Sequence, residues 1–319
     1  MTHARALSLP CLLALLVGAT LPNPAAAQLN SQNIKGDVGL KSGSQAPPGG
    51  YVVAPLYFYS ADALKNRDGQ EVATGSLDAT VFGPGLNYVT TKKIGGANYG
   101  FLVVLPWANN RIQGGRVDEN PGQGITDMYV QPVNLGWHGA RADTTVAYGL
   151  YVPTGRYEDG ASNNTGLGMW GHELQAGTTV YLDQARTWHA ATTASFNFHS
   201  EKKDSDTRVG NALTLEGGAG RDFLGGGLSL GMAYYATYKL TEDRLGPVAG
   251  VLVRGKNRVY GVGPEATLAI AARQTVYGFV TVRYQWEMGA RTTTEGGALN
   301  IMATFLLKPL KLAPAPAVP

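Results

Sequence analysis

Cysteine is nearly absent from this chain of 319 residues: its one example, Cys11, sits in an apolar stretch near the start. A domain held together by disulfides is therefore excluded. Past that stretch no run approaches the roughly 18 uncharged apolar residues that a membrane helix needs. Runs rich in Ala, Leu, Glu and Lys, the makings of long helices, are missing as well. Charge of one sign is also scarce. The formal net charge is +3, with Arg5 supplying part of it, and gives no reason to expect nucleic acid as a partner.

What the chain does have begins with an export signal. Arg5 opens it, Ala6 to Leu21 is mostly apolar, and Ala25-Ala26-Ala27 offers a small-residue cleavage site. Residues 1–27 are expected to be a cleaved secretory signal peptide. Glycine is abundant, with 43 residues, and from residue 51 onward one rhythm repeats. Stretches of about a dozen residues alternate apolar and polar, linked in turn by short and long polar connections. Approximate spans are 51–60, 77–90, 97–109, 123–137, 142–153, 169–182, 187–199, 210–222, 227–240, 258–271, 274–287 and 298–308. In 187–199, Trp188, Ala190, Thr192, Ala194, Phe196 and Phe198 share one face, opposite His189, Ser195, Asn197 and His199. Three proline-bearing strands, with Pro84, Pro106 and Pro132, alternate less cleanly, which points to bulges.

A period of two with one apolar face fits an all-β fold: a transmembrane antiparallel up-and-down β-barrel of about 12 strands. Short periplasmic turns and longer extracellular loops follow from the alternating connections. The expected loops are 61–76, 110–122, 154–168, 200–209, 241–257 and 288–297. Trp107, Trp137, Trp170, Trp188 and Trp286 fall near strand ends, as an aromatic girdle at the two headgroup levels requires. A soluble sandwich would more often hold Trp mid-strand. The expected organisation is thus leader 1–27, a periplasmic segment or plug at 28–50, a barrel at 51–308 and a Pro/Ala-rich tail at 309–319. Its setting would be the outer membrane of a Gram-negative bacterium. Lipids and the barrel assembly machinery would be its partners.

Several catalytic signatures do not survive their context. Gly166-x-Gly168-x-x-Gly171 lacks a strand–helix unit, and Gly227-Leu-Ser229-Leu-Gly231 lacks a later histidine. His172-Glu173 has Ala176 where a second zinc-binding histidine is needed. Ser195, Asn197 and His199 share a face but are too spread along one strand for nucleophile–base contact. No catalytic residue, cofactor or metal site is expected. Instead, the inward charges Glu173, Glu216, Glu265, Arg283 and Glu287, with Asp78 as a weaker candidate, mark the lumen. An Arg facing lipid at the midplane would cost about 2–4 kcal/mol. Glu265 and Arg283 lie on adjacent strands, either as a structural pair or as a constriction that touches solute. Twelve strands leave a bore between a filled interior and an open pore.

The run Pro48 to Ser60 (PGGYVVAPLYFYS) resembles the opening of outer-membrane proteins classed with the meta-pathway of phenol degradation. The likeness continues through Gly149–Tyr157, Asn164–Trp170, Gly177–Tyr181 and Thr241–Asp243, and covers roughly 48–308. It implies a transporter-like channel linked to aromatic compounds and supplies no catalytic residues. One departure is the tail that follows Phe305, where barrels of this kind often end on an aromatic. The resulting expectation is a passive channel for small, aromatic or hydrophobic molecules, with Tyr235, Tyr277 and Phe279 beside the inward charges. A closed structural or adhesive barrel is the alternative; a membrane lipid hydrolase ranks third.

Overall fold

The computed structural model describes residues 31–114, 117–159, 161, 163–244 and 255–311, with 72–75, 112–114 and 117–122 described by backbone alone. The expected leader, residues 28–30 and residues 312–319 of the expected tail lie outside the described residues. The described residues form fifteen strands: β1 (Gly49–Lys65), β2 (Glu71–Phe82), β3 (Gly85–Ile94), β4 (Ala97–Val104), β5 (Trp107–Gly114), β6 (Val117–Ile125), β7 (Met128–His138), β8 (Ala142–Val152), β9 (Gly171–Tyr181), β10 (Trp188–His199), β11 (Ala212–Phe223), β12 (Leu228–Lys239), β13 (Arg258–Ala272), β14 (Thr275–Arg291) and β15 (Thr294–Lys311). All join one antiparallel sheet, and β15 pairs with β1 from Tyr51↔Leu306 to Leu64↔Thr294, so the sheet closes on itself.

Fifteen segments make twelve crossings of the wall. β1 pairs with β3 over Gly49–Val53 and with β2 over Leu56–Lys65, so β2 and β3 are one crossing broken at Gly83-Pro84. β4 and β5 break likewise at Leu105-Pro106, and β6 and β7 at Thr126-Asp127. Proline has no N–H for the ladder, and the breaks line up on neighbouring crossings. Single bonds carry the sheet past them: Gly83 N–H to Pro55 O, Leu105 N–H to Pro84 O and Thr126 N–H to Pro106 O, each 3.0 Å. A seam of reduced pairing therefore runs across four adjacent crossings.

The apolar residues face outward, as a bilayer demands of a closed barrel. Leu86, Leu174, Leu182, Leu230, Leu268 and Leu307 are all more than 40% exposed. The barrel thus spans the outer membrane with strands. All five tryptophans lie on this outer face. Trp137 and Trp188 sit beside periplasmic turns; Trp107, Trp170 and Trp286 lie roughly ten residues higher, about 25 Å along tilted strands. Trp107 opens β5, while β14 continues five residues past Trp286.

That continuation corrects three of the expected loops. Most of 61–76, 110–122 and 288–297 is strand, leaving Asn66–Gln70 and Thr292–Thr293 as the first and last turns. Hydrogen-bond pairing needs no apolar face, so hairpins extend into water where alternation of hydrophobicity stops. Strand β15 likewise runs to Lys311, past the expected end of the barrel at 308. The loops between β8 and β9, β10 and β11, and β12 and β13 are the long ones.

Candidate functional site: a threaded bore and the slot beside it

The lumen is not empty. Residues 31–48 run through it, starting near the outer end, where the Ser31 hydroxyl meets His199 Nε2 at 3.2 Å. They end near the periplasmic turns, where Lys41 pairs with Asp222 at 2.6 Å and the Ser44 hydroxyl donates to Asp143 at 2.9 Å. Between these points the segment is tied to inward side chains of β11–β15. Asn33 Nδ2 donates to Thr214 at 3.0 Å, and Lys35 pairs with Glu287 at 2.8 Å. Gly36 N–H donates to Glu216, while Gly36 O accepts from Arg283 Nη1 at 2.6 Å and Asn300 Nδ2 at 2.9 Å. Leu40 N–H donates to Glu265 Oε2 at 3.2 Å.

Two glycines permit this close approach. A Cβ on Gly39 would overlap the Glu265 carboxylate and the Arg283 guanidinium, and one on Gly36 would strike Gln285. Gly36 also adopts φ +73°, a left-handed conformation that glycine takes without strain.

The inward charges gather around this segment. Glu265 and Arg283 face each other in register and bond through Nε at 2.7 Å, with both side chains 5% exposed. Glu287 accepts from Lys35, from Tyr59 OH and from Tyr235 OH, the two hydroxyls at 2.7 Å. Glu216 is buried beside Gly36, and Tyr235 is also buried. Glu173 is buried on the other side of the bore and accepts from Tyr129 OH at 2.8 Å and Asn197 Nδ2 at 3.0 Å. Phe279 is half-buried on the inward register of β14.

Two expected lumen residues point elsewhere. Tyr277 is 43% exposed, because a bulge between Val276 and Gly278 turns Val276 inward and Tyr277 out. Asp78 faces outward opposite Ser60, whose hydroxyl donates to it at 2.7 Å. In this part of the wall Leu77, Ala79 and Val81 are the inward residues, packed against Tyr57 and Tyr59. Ser195 bonds to Gln175 and His199 to Ser31, so the polar residues of β10 serve separate contacts.

Beside the segment lies a cavity of about 470 Å³, lined mainly by β1–β9 and reaching Arg283 of β14 and Asn300 of β15. One wall is apolar: Val53, Pro55, Val81, Leu102, Val104 and Pro106 line it. These residues include the edges of the seam, as do Gly83, Thr126 and Asp127. The facing wall is polar, built from Tyr129, Gln131, Glu173 and Gln175. Sequence periodicity missed this slot. β1 and β4 carry apolar residues on both faces, one toward lipid and one toward the cavity, so their alternation is lost.

Asp127 joins three parts of the molecule. Its carboxylate accepts from Gln32 Nε2 at 2.9 Å, from Leu167 N–H at 3.0 Å and from Gly155 N–H at 3.2 Å. The threaded segment, the β8–β9 loop and the seam thus meet at one buried residue. A lone aspartate in a sequence that reads as one continuous strand over 123–137 gives no signal of such a role.

Residues 61–303 match the family model described as "Putative MetA-pathway of phenol degradation", and the chain belongs to that family. Among solved structures, the fold is similar to an outer membrane channel from Pseudomonas putida F1, at 16% identity and TM-score 0.71, over 85% of this chain and 100% of that one. It is more loosely similar to the translocator domain of the autotransporter NalP from Neisseria meningitidis (11% identity, TM-score 0.46, 82% and 89% covered). The monoaromatic hydrocarbon channel CymD gives 8% identity and TM-score 0.46, over 82% and 90%. No curated protein matches the chain.

Proposed function

We propose that the protein is a passive outer-membrane channel for small aromatic or otherwise hydrophobic molecules, which move through the slot beside the threaded segment. The segment acts as a plug that fills half of the bore and leaves the other half passable. The observation that carries this reading is the apolar-walled cavity of about 470 Å³. That volume lies within the range typical of small-molecule sites, and its greasy wall is set against a seam in the barrel. Membership of a family described by phenol degradation agrees with such a solute.

The test is uptake of radiolabelled p-cresol at micromolar concentration by cells whose lipopolysaccharide outer membrane limits entry. Cells carrying the full chain should take it up several-fold faster than cells without it. Equal rates, with the barrel shown to be folded by its heat-modifiable mobility, would overturn the proposal. The clamped plug favours one second reading, a closed structural barrel, and equal rates are what it expects.

A further inference from the structure

The lining of the slot bears on which aromatic molecules it accepts. Charged groups on it are Asp37, Asp127 and Glu173, with Arg283 as the one cation among the described lining residues. Arg283 is already committed: its Nε bonds to Glu265 and its Nη1 to Gly36 O. The polar wall is committed as well. Tyr129 and Tyr151 both direct their hydroxyls to Glu173, at 2.8 and 3.4 Å. Gln131 Nε2 serves Tyr129 OH at 3.1 Å and Gln175 Oε1 at 3.0 Å, and Asn134 Nδ2 donates to Gln131 Oε1 at 2.7 Å. Gln175 Nε2 in turn donates to Ser195 at 3.2 Å. The network runs on to the threaded segment, where Gln45 Nε2 donates to Asn134 Oδ1 at 2.9 Å. Elsewhere on the lining, the half-buried amides of Asn87 and Asn110 and the buried Thr193 hydroxyl offer donors without charge.

A carboxylate entering such a space loses its water and finds no unpaired cation to replace it, while three acids lie around it. Desolvation of an unpaired ion is strongly unfavourable. An uncharged ring carries no such penalty. It meets instead the tethered rings of Tyr129 and Tyr151, whose centroids are 4.8 Å apart and tilted by 47°, with Tyr57 also on the lining. Rings held by their hydroxyls present faces and edges in fixed positions, which suits stacking or edge contact with another ring.

We propose that the slot is a charge filter: it passes uncharged aromatic molecules and rejects aromatic carboxylates of the same size. Glu173 is a positioning residue in this filter, fixing the two tyrosine rings. The inference rests on the channel reading above and specifies the solute that reading admits.

The test compares uptake of p-cresol with that of p-toluate at neutral pH, in cells carrying the full chain and in cells without it. The filter predicts several-fold acceleration of p-cresol, while p-toluate stays within twofold of the control. Equal acceleration of both overturns the filter and leaves the channel intact; acceleration of neither overturns the channel itself. A second variant supplies the missing cation. Asn110→Arg should raise the p-toluate to p-cresol uptake ratio at least fivefold. A folded Asn110→Arg barrel with an unchanged ratio would count against the filter even if the wild-type comparison had favoured it.

Discussion

The two halves of this barrel solve different problems with the same strand geometry. From β9 to β15 the wall mostly alternates, apolar toward lipid and polar toward the lumen, and the inward charges of β11–β14 are bonded to the threaded segment. From β2 to β7 the crossings are interrupted along a seam, twice at prolines; β1 and β4 are apolar on both faces, and this wall faces a cavity. One half holds the plug and the other leaves room beside it. A bore can therefore be filled with polar contacts and still offer an apolar path, provided the two functions are assigned to opposite walls.

Removing the plug should break this contrast most completely. A chain lacking residues 31–45 should conduct ions in planar bilayers at least about tenfold better than the full chain, since a twelve-stranded bore is wide enough for water once its filling is gone. Unchanged conductance would mean that the segment does not occupy the bore in a membrane.

Next in size is the buried pair at the centre of the polar half. Either Glu265→Ala or Arg283→Ala leaves one charge uncompensated and should destabilise the barrel by about 3–5 kcal/mol, whereas the double replacement Glu265→Leu/Arg283→Met should cost far less. Denaturant unfolding in detergent checks this. If the single and double variants lose the same stability, the pair is not the unit that Glu265 and Arg283 form here.

The proline seam is addressed by Pro84→Val and Pro106→Val, each of which restores an N–H. Where that donor reaches a carbonyl, the gain is roughly 1 kcal/mol, read as a higher melting temperature. The same variants should slow p-cresol uptake, because closing the seam tightens the apolar wall.

A pH-dependent effect, confined to alkaline solution, belongs to the outer loops. Lys202 is buried between β10 and β11, and burial holds its ammonium down at about 8. The unfolded chain keeps its proton to about 10.4, so the folded state binds fewer protons between these values. Stability should therefore rise with pH from about 8 to about 10, and be flat below. Lys202→Met should remove that slope in melting temperature measured across pH 7–10; a retained slope would assign it to another group.

How much of this was legible in the sequence follows the same division. The twelve crossings could be placed, and Glu265 and Arg283 set on adjacent strands, because hydrophobic alternation registers the lipid face directly. Tyr277 was misplaced because one bulged residue flips the face without altering composition. Asp78 was misplaced for a different reason. Its strand has left the bilayer, so the apolar residues turn inward and the polar ones meet water. The slot was not legible at all, since a strand that is apolar on both faces carries no period. Nor was the path of residues 31–48, whose partners are scattered from Asp127 to Asn300.

The central claim is that solute passes beside a plug that stays in place. Asn33 and Thr214 touch across the polar half, with Nδ2 and Oγ1 at 3.0 Å, and the described chain contains no cysteine that would interfere. Uptake of p-cresol through Asn33→Cys/Thr214→Cys should be the same whether the disulfide is oxidised or reduced. Uptake that stops on oxidation and returns with reductant would show that the plug must move, and would contradict the account.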